Sequence, residues 1–482
     1  MSVYGIGGIL TKTINFLLLP VYTRILTPSD YGALELVYLV GNIIAILYGF
    51  MISSGYVRHY YDNKRVEYRE RLLGTTLWFV LLNSLVFLVV FIVFADQVAA
   101  FMFRFPNGGL FIKLVSISTC LIALNQVFYN SLMVTEKAKT YVSINILALL
   151  TTLLLTITFV VFLKWNVKGI LYAQITGRTL ELMLLVFTQF NKKLFVFSFS
   201  MVKEMLRFSL PLIPSQLTFF VLTVSDRFFI QHYQGVYDVG LYSLGYRFAS
   251  IMPLFAITPL KAWGPYIFSF VDDFQQCQST IARFSRLYMF GVLALCLGIS
   301  LMGRDVIEIM AKNEFWNAWQ VVFLLCLGYV FWGMVTVTSY AFHITKKTWL
   351  MSKIEMFVAV CSFLLNFLLV PRLGIVGAAI VNVTSYLMIL LIYFVFIHKI
   401  YPVQFEYGKM GIAVVYVIGI YFLSLQINLQ VIYSILINIL LFLLFIFLMY
   451  FSKYFSRDEL NTVKPFLMGI IKATRINYKN IT

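Results

Sequence analysis

The chain has 482 residues, 61% of them hydrophobic and only 12% charged, with a formal net charge of +17. Soluble domains carry about 25% charged residues, so this balance excludes a water-soluble enzyme or binding module, and no polar stretch is long enough for a separate soluble domain. The Lys and Arg residues lie singly within apolar runs or in short loops, which reads as the positive-inside bias of a membrane protein and not as a nucleic-acid surface.

Apolar runs of the roughly 20 residues needed to cross a hydrocarbon core of about 30 Å recur from end to end. They predict an all-α polytopic membrane protein with fourteen spans. Span 1 (3–24) has no basic n-region and no small-residue cleavage site, so it reads as a retained helix and not a signal peptide. It carries Lys12 near its middle, Pro20, and Arg24 at its end. Span 2 (32–57) carries Glu35, and spans 3 (73–94), 4 (110–134) and 5 (141–163) follow. Span 6 (168–190) holds Arg178 and Glu181 at i, i+3, a local ion pair. Span 7 (207–231) carries Pro211 and Pro214 and the pair Asp226-Arg227; span 8 (238–262) carries Arg247, Pro253, Pro259 and Lys261, with Pro265 just beyond. Spans 9 (283–303), 10 (317–344), 11 (350–370, with Glu355 near its start), 12 (375–397), 13 (409–426) and 14 (430–451) complete the series, and a basic tail follows.

The loops after the even-numbered spans, with the tail, hold more than twice the Lys and Arg of the loops on the other side. Both termini are therefore expected in the cytoplasm. An internal repeat accompanies this topology. Lys164, Gly169, Gln174 and Thr176 at the junction of spans 5 and 6 recur as Arg372, Gly377, Asn382 and Thr384 at the junction of spans 11 and 12. More weakly, Tyr22-Thr23-Arg24 followed by Asp30-Tyr31-Gly32 is echoed by Ser225-Asp226-Arg227 followed by Asp238-Val239-Gly240. The repeat predicts an N-lobe (1–200, spans 1–6), a C-lobe (201–400, spans 7–12), two additional spans (401–455) and a cytoplasmic tail (456–482), with a substrate cavity between the lobes.

A charge at the centre of a span costs about 2.5 to 3.5 kcal/mol on insertion scales, so each asks for a reason. Span 1 carries Lys12 and Arg24, its counterpart span 7 ends in Asp226-Arg227, and span 8 carries Arg247 and Lys261; facing inward, Lys12, Arg24, Arg247 and Lys261 make a cationic cavity suited to a phosphate-bearing substrate. Snorkelling to an interface is the alternative for Arg24, Arg227 and Lys261. Glu35 has no partner nearby in sequence and is the candidate site for a coupling H+ or Na+. Pro20, Pro211, Pro214, Pro253 and Pro259 cluster in the same spans and are expected to kink them as gates. The five cysteines are scattered and read as structural thiols. No GxxxxGK[ST] loop, HExxH motif or Cys/His cluster occurs, so no cofactor, metal centre or enzymatic chemistry is expected.

The run from Lys12 through Pro20, Tyr22-Thr23-Arg24 and Pro28-Ser29-Asp30-Tyr31-Gly32 resembles the N-terminal signature of Wzx-type oligosaccharide flippases. These form the polysaccharide-biosynthesis branch of the multidrug/oligosaccharidyl-lipid/polysaccharide exporter superfamily. The segment Gly377-Ala378-Ala379-Ile380-Val381-Asn382 and the span layout are similar too. The resemblance implies a flippase of the bacterial inner membrane. It would move undecaprenyl-diphosphate-linked oligosaccharide repeat units to the outer leaflet by alternating access, for O-antigen, capsule or exopolysaccharide, and hand them to a polysaccharide polymerase and a chain-length regulator. A cation-coupled multidrug or metabolite antiporter and a peptidoglycan-precursor flippase are the alternatives. A cationic cavity favours the anionic lipid over a cationic drug, and the short loops leave no room for a synthase domain.

Overall fold

The computed structural model describes residues 18–103, 105–190, 192–427, 431–456 and 459, among which every regular element is helical. Span 1 survives there as its last turns, α1 (Leu19–Ile25). Lys12 and most of the expected tail lie outside the described residues.

Helix α2 (Pro28–Gly49) starts where the family-like signature stood, for a local reason. The Thr27 hydroxyl accepts from the Asp30 amide at 3.1 Å, and the Asp30 carboxylate accepts from the Thr27 amide at 3.2 Å. With Pro28 in the first turn, this is a capping box whose proline lacks only a hydrogen bond that no helix start makes. Helix α2 stops at Phe50 and Met51, both left-handed (φ 41° and 57°), before α3 (Ile52–Asp62) continues the span. Two non-glycine residues in that region carry strain of order 1–3 kcal/mol each. The chain runs on through α4 (Val66–Val93), the short α5 (Ala95–Met102), α6 (Gly108–Val134), α7 (Ala138–Ile157, extended by a π turn) and α8 (Asn166–Gln189).

The second half holds α9 (Phe199–Ser209), a 3-10 turn at Leu210–Leu212, α10 (Ile213–Val224), α11 (Asp226–Tyr233), α12 (Val236–Ala249) and α13 (Met252–Phe268). Then come α14 (Phe274–Met310), α15 (Trp319–Ile344), α16 (Thr348–Ile400), α17 (Tyr407–Leu425) and α18 (Val431–Phe451). Eleven helical stretches among the described residues are long and apolar enough to cross a membrane. One of them, α16, would be about 80 Å long if straight. It folds back instead at Gly374 (φ 57°), so that the Tyr393 hydroxyl donates to Glu355, equally far from the bend, at 2.9 Å. It thus contains spans 11 and 12, while span 8 is divided between α12 and α13.

The prolines act differently from the kinks expected of them. Pro20, Pro214 and Pro253 sit in the first turns of α1, α10 and α13, and Pro211 lies in the 3-10 turn. Of the prolines expected to kink spans 1, 7 and 8, only Pro259 is inside a helix, followed by Pro265 in the same helix. The breaks in spans 7 and 8 therefore precede prolines that begin the next segment, where a missing N–H costs nothing.

The halves before and after residue 199 meet at two rims. At the first, α2 crosses α12 through Gly32 and Gly240. A Cβ on Gly32 would press onto the Val236 carbonyl and lie 2.8 Å from the Gly240 amide nitrogen, and a Cβ on Gly240 would strike the Pro28 carbonyl. The weak echo between Asp30-Tyr31-Gly32 and Asp238-Val239-Gly240 is thus a point of backbone contact. Around it Thr23 donates to the Met310 carbonyl (3.2 Å), Tyr237 donates to the Glu314 carbonyl (2.9 Å), and Tyr31 meets Phe315 edge-on. At the opposite rim α9 packs on α3 and α4, with Gly55 under Met205 and Ser209. Helices α17 and α18 pack on α14, where Asn438 donates to the Leu301 carbonyl (2.9 Å) and to Asp305 (3.1 Å).

Candidate substrate site

One turn beyond Gly32 on α2 lies Glu35, and two turns beyond Gly240 on α12 lies Arg247. The helix crossing therefore brings together two charges 212 residues apart: the Arg247 Nη2 and Nε donate to Glu35 Oε1 at 2.8 and 3.3 Å. Their accessibilities differ. The Arg247 side chain is 44% exposed, although Phe248 and Ala249 beside it are buried, and Glu35 is 10% exposed. The guanidinium thus faces open space between the halves. Tyr22, Tyr31 and Tyr38 lie within electrostatic reach of the pair, and Gln174 of the repeat motif donates to the Tyr38 hydroxyl at 2.5 Å.

A second arginine stands close by in a different condition. Arg227 is 2% and Asp226 5% exposed. Arg227 Nε donates to Ser243 at 3.2 Å and its Nη1 lies 3.5 Å from Asp226, while Tyr242 donates to the other Asp226 oxygen. The guanidinium lies 4.3 Å from the Tyr246 ring centre, within cation–π range. Sequence left snorkelling open for Arg227, but burial rules it out. Removing one partner of a buried, satisfied pair costs about 3–5 kcal/mol, whereas a partly solvated pair is worth about 0–1 kcal/mol. Arg227 is therefore enclosed with its partners, whereas the Arg247 side chain is open on one side and is held by the Glu35 carboxylate. Arginine suits phosphate in particular, since its planar fork donates two parallel hydrogen bonds.

Of the other expected cations, Arg24 and Lys261 do not join this site. Arg24 is exposed at the first rim, 3.5 Å from the Ile309 carbonyl. Lys261 is exposed on α13, about four helical turns along span 8 from Arg247. Lys12 is outside the described residues. Arg178 and Glu181 form the expected local pair at 2.8 Å, with Asn125 and Tyr129 also donating to the carboxylate. The Asp226–Arg227–Tyr242 network and the tyrosines were missed in sequence. The one signal that located the site was the shared Asp-x-Gly spacing, which marks the helix crossing.

An apolar groove of about 590 Å³ begins at Phe248 and Ile251, beside Arg247, and runs along α14 past Gly291, Gly298 and Met302 to Phe442 of α18. A Cβ on Gly291 would meet nothing within 4 Å, so the groove is widened where the glycines lie.

Comparison with known proteins places the chain. It is 21% identical over 331 residues to the succinoglycan biosynthesis transport protein ExoT of Rhizobium meliloti (strain 1021), covering 67% of this chain and 64% of that protein. It is 22% identical over 175 residues to the probable low-salt glycan biosynthesis flippase Agl15 of Haloferax volcanii, covering 36% of this chain and 37% of that one. The matches thus span less than two thirds of these relatives' lengths. In fold it is similar to the lipid II flippase MurJ in an inward closed conformation, with a TM-score of 0.71 and 15% identity over 94% of this chain and 99% of that one. A family described as polysaccharide biosynthesis protein matches residues 21–320, more than half of the sequence, and this multi-pass helical membrane protein belongs to it.

Proposed function

We propose that the protein translocates a polyprenyl-diphosphate-linked oligosaccharide across a bacterial inner membrane by alternating access, for assembly of a surface polysaccharide. The observation that carries this reading is Arg247, an accessible guanidinium held by one carboxylate from the opposite half, with an apolar groove beginning at the next residue. The diphosphate takes Arg247 from Glu35, the prenyl chain lies in the groove along α14, and the sugars occupy the space between two six-helix lobes. A cationic drug finds no acid free of arginine at this position. By the loop charges, the rim sealed by Gly32 and Gly240 faces outward, which puts both termini in the cytoplasm and opens the site toward the cytoplasmic leaflet.

Charge supplies direction as well as binding. A diphosphate moving outward travels with an inside-negative potential, which contributes about 2.3 kcal/mol per charge per 100 mV. Once Arg247 has turned to the diphosphate, Glu35 is released and can take a proton or sodium ion for the return step. Flipping of an undecaprenyl-diphosphate-linked oligosaccharide in proteoliposomes tests this, with lipid II as a second substrate to separate a peptidoglycan-precursor flippase. Arg247→Ala should reduce the rate at least tenfold, Arg247→Lys should retain part of it, and dissipating the potential should slow the wild type. Full activity of Arg247→Ala would remove the reading.

A further inference from the structure

Helix α15 is enclosed, with 78% of its most apolar window buried. Between Tyr329 and His343 only five positions are accessible: Tyr329, Trp332, Thr336, Tyr340 and His343; every residue between them is buried. At 100° per residue, spacings of 3, 4, 4 and 3 put all five on one stripe of about 21 Å. Its Tyr329 end approaches the two arginines: the Tyr329 ring lies 6.1 Å from that of Tyr246, which lies under the enclosed Arg227 and precedes Arg247 in α12. Trp332 follows 6.4 Å from Tyr329. Tyr340 lies against Phe268 and His343, and Gly264 of α13 gives it room, since a Cβ there would sit 2.8 Å from the phenol oxygen. Among the described residues neither the Trp332 indole N–H nor the Tyr340 hydroxyl has a hydrogen-bond partner. The span expected to correspond in the first half, α6, has no accessible aromatic; its Phe111, Phe128 and Tyr129 are all buried.

A stripe of core-filling aromatics would be buried like its neighbours. This one is kept open, and it combines flat rings with unused donors. Those are the two features that recognise a carbohydrate: the C–H face of a pyranose lies on the electron-rich ring face, and its hydroxyls take up the polar tips. We propose that the Tyr329–His343 face of α15 is the track that holds the oligosaccharide, sugar by sugar, while the diphosphate rests at Arg247. The inference depends on the lipid-linked oligosaccharide reading and adds the surface that reads the sugar.

The test is the affinity of the purified full chain for undecaprenyl diphosphate without sugar and carrying one or four sugars. For the wild type, affinity should rise with sugar number. Trp332→Ala and Tyr340→Ala should each lose roughly two- to tenfold of that rise, and Trp332→Phe should keep most of it. Binding of the sugar-free lipid, which does not reach the track, serves as the control for folding. Equal wild-type affinity for all three lipids, or alanine variants that keep the full rise, would overturn the track and leave Arg247 untouched. If the wild type binds none of the lipids, the transport reading falls and the track with it.

Discussion

The two halves present unlike chemistry to the space between them. From the first half α2 contributes an acid, Glu35, and α6 shows no accessible aromatic; from the second, α12 contributes Arg247, with the enclosed Arg227 of α11 behind it, and α15 its aromatic stripe. Yet the halves touch through equivalent glycines, Gly32 and Gly240. A shared backbone plan thus carries an asymmetric distribution of charge and, on the proposed reading, of labour: the second half would supply the binding groups, and the first the carboxylate that holds Arg247 until a substrate anion replaces it.

The strongest way to break this comparison is to remove the carboxylates one at a time. Asp226→Ala should lower stability by about 3–5 kcal/mol, because it leaves the Arg227 guanidinium enclosed without its counter-charge. Glu35→Ala should lower it by at most about 1 kcal/mol, since water reaches Arg247. Thermal unfolding in detergent separates the two, and equal losses would erase the distinction between a fixed and an exchangeable arginine.

Next in size is the glycine contact. Gly32→Ala pushes a methyl group onto the Val236 carbonyl, a backbone atom that cannot swing aside. The first rim should then fail to seal. A cysteine at Phe315, which is buried against Tyr31 in the sealed rim, should become reactive toward a membrane-impermeant maleimide, and flipping should fall at least tenfold; unchanged labelling would deny this contact a gating role. Glu35→Gln is milder. It keeps an acceptor for Arg247 and removes the charge, so dependence of transport on an ion gradient should weaken while substrate still binds. A gradient dependence equal to wild type would move ion coupling elsewhere.

The smallest effect lies far from the cavity, where the chain emerges from α18. Arg286 on α14 pairs with Glu406 and, at 2.5 Å, with Glu459, and Arg283 reaches Glu459 at 3.0 Å. Burial works against ionising Glu406, but the hydrogen bond from Lys409 and the charge of Arg286 outweigh it and hold its carboxyl below the usual range. Burial likewise opposes ionised Glu459, and the Ser456 amide and Arg286 reverse it. Groups lowered on folding stabilise above their ordinary value near 4.3 and lose that contribution as pH falls through the lowered one. Hydrogen-exchange protection around 454–456, taken relative to intrinsic exchange at each pH, should therefore be unchanged from pH 7 to 5 and fall below about pH 4. A rate that follows only intrinsic exchange chemistry would show that this cluster does not hold the end of the chain.

The sequence made most of the helices legible because span length and turn signals are local. Span 2 is expected from residue 32, short of the capping box that starts the helix at Thr27, Pro28 and Asp30, and the fold-back at Gly374 falls between the expected spans 11 and 12. Which charges meet was not legible. Glu35 looked unpartnered because its arginine is supplied by another helix crossing at a pair of glycines, and Arg24 and Lys261 looked equivalent to Arg247 because span position does not reveal which face is open. At the break after Gly49 the left-handed positions themselves are Phe50 and Met51, residues that do not favour that conformation, so the expected span 2 runs through it.

The central claim is that Arg247 exchanges Glu35 for a diphosphate, and a double-mutant cycle on the affinity for undecaprenyl diphosphate tests it most directly. Arg247→Ala should weaken binding at least tenfold, and Glu35→Ala should tighten it severalfold by removing the competing carboxylate. In the double variant the Glu35 effect should vanish, because there is no longer an arginine to compete for. Weaker binding by Glu35→Ala, or a Glu35 effect that persists without Arg247, would contradict the exchange.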